Sequence, residues 1–297
     1  MSSWQGKTRG TPLGYRIFIF LIKNFGISVA YFLLYFVGFY FVFFGNKKSQ
    51  KYFFGKILGQ NRLHSFLSRF KNNYRFGQVL IDKVAAFSGQ GSLFTFNFDG
   101  EEHLRNLSDG GFLIGAHMGN WEIAGELLKR LETPVNIVMV QNEHAGIKEL
   151  LQQVESQKTM KIIWLSDDMS HVLAIKQAIE RKELVVIHGD RFMEESPFIS
   201  KNFLSKEAKF PYGPFYLAAR FNKPVCFTFA FKETNTHYHF YSTPGKQYPA
   251  VKNVSQRAEI AEMILGDYLV ELEKMTLKYP HQWFNFYDFW EDEKQLH

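Results

Sequence analysis

The stretch FLIGAHMGNWEIAG, residues 112–125, ends an apolar run on one titratable imidazole. His117 is followed by Met118, Gly119 and Asn120, and Glu122 stands five positions after it. A histidine with a carboxylate at its side can take a proton from a hydroxyl. The carboxylate fixes the tautomer and steadies the imidazolium that forms. A chain that reverses between His117 and Glu122 can bring the two groups within hydrogen-bond reach, and Asn120 is a natural N-cap for a helix starting there. The same spacing also has a reading without chemistry, with His117 as a hydrogen-bonded strand end and Glu122 as an acid complementing a helix dipole.

IHGDR, residues 187–191, is a second apolar run that stops on polar residues. Gly189 permits an unusual backbone turn, and Asp190 and Arg191 set opposite charges side by side. They can pair with each other, or Arg191 can hold a phosphate through its planar fork of donors. FPYGP, residues 210–214, puts Tyr212 and Gly213 between two prolines ahead of a helix, as a loop that could wall a site. A metal reading would gather His144, His188 and Asp190 from neighbouring strand ends. Those ligands are scattered and the sequence has no His-Glu-x-x-His helix, so no metal is assigned.

Such residues need a scaffold. Strand-like runs at 92–98, 112–117, 135–141, 161–166 and 184–190 alternate with helix-like ones at 121–131, 147–156 and 171–182. Strands apolar on both faces, separated by amphipathic helices, predict an α/β fold with a largely parallel central sheet flanked by helices. In such sheets sites form beyond the carboxyl ends of strands, where His117 and Asp190 fall. A helix after FPYGP, two late strands in PVCFTFAFKE and HYHFYSTP, a long helix over 252–279 and an aromatic closing segment complete the domain. Helices are also expected within 45–75 and again over 76–89, the latter stopped by Gly89 and Gly91.

The chain has 297 residues, a net charge of +6 and a single cysteine, Cys226, which excludes an internal disulfide and a cysteine-based zinc knuckle. Without a dense Lys/Arg run or a recognisable binding motif, nucleic acid is not an expected partner. Phenylalanine is abundant, with 32 copies. Many fall between Phe25 and Phe44, a stretch without charge and long enough to cross a hydrocarbon core. It can span the membrane, lie in its interface, or be a buried helix; basic residues on both sides leave orientation open. The chain therefore divides into a membrane-associated helical region, 1–88, and an α/β region, 89–297, within one continuous fold.

Taken in order, HMGNWE, IHGDR, PYGPFYLAARFNKPV and YPHQWFNFYDFW, behind an apolar N-terminal segment, resemble the lysophospholipid acyltransferase superfamily. They are most similar to its branch of bacterial lipid A biosynthesis acyltransferases, and the motifs span nearly the whole chain. The resemblance implies transfer of a fatty acyl group from an acyl thioester, on acyl carrier protein or coenzyme A, to a hydroxyl of a lipid or glycolipid. No bound cofactor is implied, and the place is the cytoplasmic face of a bacterial inner membrane. It casts His117 as general base, Glu122 as its orienting acid, and Arg191 beside Asp190 as facing a phosphate or the carrier arm. Gly119, Asn120, Tyr212 and Gly213 would line the substrate site, with N–H groups near Gly119 and Asn120 stabilising the oxyanion. Tyr212 departs from the Pro-Glu-Gly loop of glycerolipid acyltransferases and makes a glycerol-phosphate acceptor less expected. The alternatives from other classes are a lipid-binding protein without catalysis and a metal-dependent hydrolase.

Overall fold

A computed structural model describes residues 12–45, 48–120, 123, 133–140, 160–166, 168–191, 196–251 and 253–290. Among them, seven strands form the main sheet in the order β1-β9-β8-β2-β5-β3-β4. These are β1 Thr95–Asp99, β2 Gly111–Gly115, β3 Val135–Val140, β4 Met160–Leu165, β5 Leu184–His188, β8 Val225–Lys232 and β9 His237–Ser242. Every neighbouring pair is parallel except β8 and β9. The parallel α/β class expected from the alternating apolar runs is the one observed. The two late strands form the antiparallel pair.

The central strands β2 and β5 are buried at every residue but His188 because both faces are covered. Phe112, Ile114, Val185 and Ile187 point into one apolar cluster, with Phe215, Ile264 and Tyr268 from the helices Tyr212–Phe221 and Val254–Lys278. Leu113, Leu184, Val186 and Cys226 point to the other, with Leu104 and Leu107. This two-residue alternation is the pleat itself. Burial pushes the Cys226 thiol up to about 12, so the lone cysteine is a packing residue.

An antiparallel hairpin, β6 Phe198–Phe203 and β7 Lys206–Pro211, was not expected from the sequence. Its turn places Leu204 and Ser205 at φ 50° and 65°. That left-handed geometry suits a tight hairpin, but neither residue belongs to the Asn-Gly pairs that announce one. FPYGP is likewise not a loop. Pro211 closes β7, and Tyr212 starts the next helix, its N–H donating to Pro197 O at 3.0 Å. The strand expected at 92–98 begins only at Thr95, because Gly91–Leu93 is a 3-10 turn. Of the predicted helices at 121–131 and 147–156, all but Ile123 lies outside the described residues.

The N-terminal helices α1 Pro12–Phe25 and α2 Ile27–Phe44 precede a long helix, Arg62–Ala85. The residues of that long helix were expected to split near Phe76, yet it runs unbroken for 24 residues. Gly77 in its middle breaks nothing; its missing side chain makes room for Leu34 of α2, which a Cβ there would strike. Ile27, Ala30, Tyr31, Leu34, Gly38 and Val42 form the buried stripe of α2 at helical spacing. Its other side, with Phe32, Phe36, Tyr40 and Phe44, is exposed.

Tyr31 leads to a charged centre. Asp82 of the long helix and Lys232 of β8 form an ion pair at 0% exposure on both sides. The Tyr31 and Tyr238 hydroxyls both donate to the Asp82 carboxylate. Lys232 Nζ donates further to Tyr31 Oη at 2.9 Å and to Asn235 O at 2.5 Å. Burial pulls the lysine down to about 8, and the attraction of Asp82 opposes that fall. Removing one partner strands the other charge in the interior. Lys232→Met is expected to cost about 3–5 kcal/mol, and Asp82→Asn with Lys232→Met less than the two single changes summed. Thermal unfolding of the detergent-solubilised variants checks both numbers.

Candidate active site

Strands β2 and β5 lie side by side with Gly115 opposite His188. Two residues beyond each partner stand His117 and Asp190, so the register alone sets them face to face. His117 Nδ1 meets Asp190 Oδ1 at 2.8 Å, and the backbone N–H of His117 donates to Asp190 Oδ2 at 3.0 Å. One carboxylate thus holds both the ring and the main chain of the histidine. The side chain of Asp190 is 2% exposed, that of His117 24%. Burial alone would disfavour the ionised carboxylate. The charge and hydrogen bond of His117, with Arg191 and His188 nearby, outweigh it and hold Asp190 well below the usual carboxylate range. An ionised carboxylate only accepts, so it places the proton on Nδ1 and leaves Nε2 as the basic atom.

His188 Nδ1 lies 3.3 Å from that Nε2, the two rings inclined at 79°. Burial, then the neighbouring His117, drives His188 well below the ordinary histidine pKa, so it is neutral at pH 7. His117, His188 and Asp190 offer ligand atoms all within 4.8 Å of one another. His144, the third member of the metal reading, lies outside the described residues, as does Glu122.

The turn after His117 is crowded. Gly119 takes φ +58°, and a Cβ there would strike Ala230 O of β8. Its N–H donates to Gln282 O at 2.8 Å, and the N–H of Asn120 to Ala230 O at 2.8 Å. Both amides expected to meet an oxyanion are therefore engaged within the fold. The Asn120 side chain accepts from Ile123 N at 3.2 Å, as an N-cap does, and donates to Tyr238 Oη at 3.1 Å. Gln282 completes the arrangement. Its side-chain amide accepts from Lys232 N and donates to Lys232 O, each at 2.8 Å. The glutamine of the PHQW motif is thus a clamp between the closing segment and β8, a role its sequence position did not disclose.

Of the remaining predicted residues, Arg191 faces Asp190 by charge and also reaches the closing segment. Its Nη2 donates to Phe284 O and its guanidinium lies 5.9 Å over the Tyr287 ring. Gly189 has no positive φ among the backbone torsions. A Cβ there would approach Phe215 at 2.8 Å and Ile114 at 3.0 Å, so packing and not turn geometry demands glycine. Tyr212 and Gly213 sit in the first turn of their helix, where Tyr212 stacks beside Tyr216. Part of the phenylalanine excess is core: Phe53, Phe54, Phe203, Phe210 and Phe289 pack around Trp283 and Trp290.

The family described as bacterial lipid A biosynthesis acyltransferase matches residues 13–291. Among solved structures, the 1-acyl-sn-glycerophosphate (LPA) acyltransferase PlsC from Thermotoga maritima is similar at 10% identity. That alignment covers 82% of this chain and 98% of that one, with a TM-score of 0.39, too low to carry an argument. No curated protein sequence matches the chain.

The turn itself is testable. Gly119→Ala combines a left-handed backbone with a collision against β8, and is expected to destabilise by about 2–5 kcal/mol. Gly213→Ala, whose Cβ would meet nothing within 4 Å, should leave the melting temperature nearly unchanged.

Proposed function

The chain belongs to the bacterial lipid A biosynthesis acyltransferase family, and on that premise we propose how and where it transfers an acyl group. The donor is a fatty acyl thioester of acyl carrier protein or coenzyme A, the acceptor a hydroxyl of a lipid or glycolipid. His117 Nε2 takes the hydroxyl proton as the oxygen attacks the thioester carbonyl carbon. The tetrahedral intermediate collapses, the carbon–sulfur bond breaks, and the departing thiolate takes the proton from His117. The observation that carries this reading is the 2.8 Å contact between His117 Nδ1 and the buried Asp190. It presents Nε2 as a base and steadies the imidazolium between the two proton transfers. The orienting role assigned to Glu122 by resemblance thus has a second claimant in Asp190.

In this reading residues 1–88 seat the protein on the cytoplasmic face of a bacterial inner membrane, and 89–297 carry the chemistry. Helix α2 has a mean hydropathy of 2.1, and by length and composition it could cross a bilayer. Its buried stripe packs against a helix that carries Arg69, Asn72 and Asp82, however. Crossing would take those polar groups into hydrocarbon, whereas lying in the interface immerses only the outward phenylalanines. That packing against a polar-bearing helix supports the interfacial reading over the spanning one.

His117→Ala is expected to lower acyl transfer by at least about a thousandfold without unfolding the protein. Asp190→Asn should fall by about as much through loss of the correct tautomer, and Glu122→Gln by less. Turnover with purified acyl thioesters and a lipid extract as acceptor measures all three. Near-normal activity in His117→Ala would overturn the base assignment, and a larger loss in Glu122→Gln than in Asp190→Asn would return the orienting role to Glu122. Membrane seating has its own measurement. Phe32→Glu with Phe36→Glu changes two exposed side chains and should reduce liposome partitioning at least about tenfold at unchanged melting temperature.

A further inference from the structure

The contact between His117 and His188 has a geometry that proton transfer does not require. Their facing nitrogens, Nε2 and Nδ1, are 3.3 Å apart. An N–H donor usually meets its acceptor at about 2.7–3.2 Å, so a simple imidazole–imidazole hydrogen bond would draw them closer. Two imidazoles on one tetrahedral zinc, each about 2.0–2.1 Å from the metal, have nitrogens about 3.3–3.4 Å apart. The observed separation, within reach of a long hydrogen bond, is also that of a chelating pair. The carboxylate behind it fits as well. Asp190 accepts from Nδ1 of His117, which is the outer-shell contact that orients a metal-binding histidine and raises its basicity.

We infer that His117 and His188 form a two-imidazole seat for one zinc-class divalent cation, and that an ion held there withdraws the base from acyl transfer. The proposal rests on the reading of His117 Nε2 as the general base, because a lone pair given to a metal cannot accept a proton. His117 stays protonated on Nδ1 toward Asp190, and His188 binds through Nδ1 with its proton on Nε2. Solvent or an acceptor oxygen completes the coordination. Magnesium and calcium are not candidates, since they prefer oxygen ligands; zinc, cobalt and nickel accept imidazole readily. Arg191 is the nearby opposing charge, and its guanidinium is turned to Phe284 O and the Tyr287 ring. Asp190 balances it from the other side.

The test uses the full chain in detergent, stripped with EDTA. Zinc binding is measured by calorimetry, cobalt(II) coordination by visible absorption, and acyl transfer in parallel at each metal concentration. One equivalent of zinc is expected on the unaltered protein, with transfer falling in step with occupancy and returning on EDTA addition. His188→Gln and His188→Phe should each weaken zinc at least tenfold, and Asp190→Asn by about tenfold; their melting temperatures show that they fold. Absence of stoichiometric binding overturns the seat, as does unchanged affinity in both His188 variants. Zinc bound without loss of transfer, or a stripped enzyme revived by zinc, overturns the withdrawal of the base. The two levels separate cleanly. Tight, His188-dependent zinc binding with no transfer to any acceptor would uphold the seat and defeat the acyltransferase reading. Transfer that proceeds while zinc fails to bind would do the reverse.

Discussion

The buried pair of Asp82 and Lys232 is the constraint around which the rest is arranged. Two opposite charges with no exposure are tolerable only when every remaining donor and acceptor around them is met. Tyr31 from α2, Tyr238 from β9 and the carbonyl of Asn235 meet them. The pair therefore forms only when the apolar helix α2, the long helix and two strands are docked together. A helix with so apolar an outer face would otherwise have little reason to hold one position against the domain.

That centre reaches the chemistry through few steps. Tyr238 takes a hydrogen bond from Asn120, which caps the turn after His117, and Gln282 clamps the backbone of Lys232 while its own carbonyl receives the N–H of Gly119. The turn is thus fixed from β8, β9 and the closing segment at once. Its rigidity comes from main-chain contacts, which explains why a glycine is required and why the neighbouring amides are engaged within the fold. The same packing preorganises His117 against Asp190, the base and carboxylate of the proposed mechanism. Many of the phenylalanines fall either in a closed aromatic core or on the outward face of α2, so their abundance reflects a filled interior and an exposed apolar helix face.

Much of this was legible in advance, and the parts that were not have common causes. Apolar runs bounded by helical periodicity gave the parallel sheet, and His117 was visible because polar residues at the end of a buried strand are unusual. The continuous helix Arg62–Ala85 was not, since the contact that makes Gly77 useful, with Leu34 of α2, is long-range and leaves no local signal. The hairpin of β6 and β7 was missed because Leu204 and Ser205 occupy left-handed positions that ordinarily go to glycine or asparagine. Arg191 was read as pairing with Asp190 or facing a phosphate; that it also holds the carbonyl of Phe284, 93 residues further along the chain, is a long-range contact that local spacing does not show.

The sequence by itself determined the class of fold, the apolar N-terminal segment, the family and the histidine worth mutating, because each is written in local pattern or in the order of motifs. Only the tertiary structure decided which groups stand beside that histidine. Asp190 reaches His117 because β2 and β5 are neighbours with Gly115 opposite His188, and strand order and register are properties of the assembled sheet. Local spacing offered a carboxylate five residues away, and the family resemblance gave it the orienting role. Long-range pairing brought one from 73 residues away to 2.8 Å.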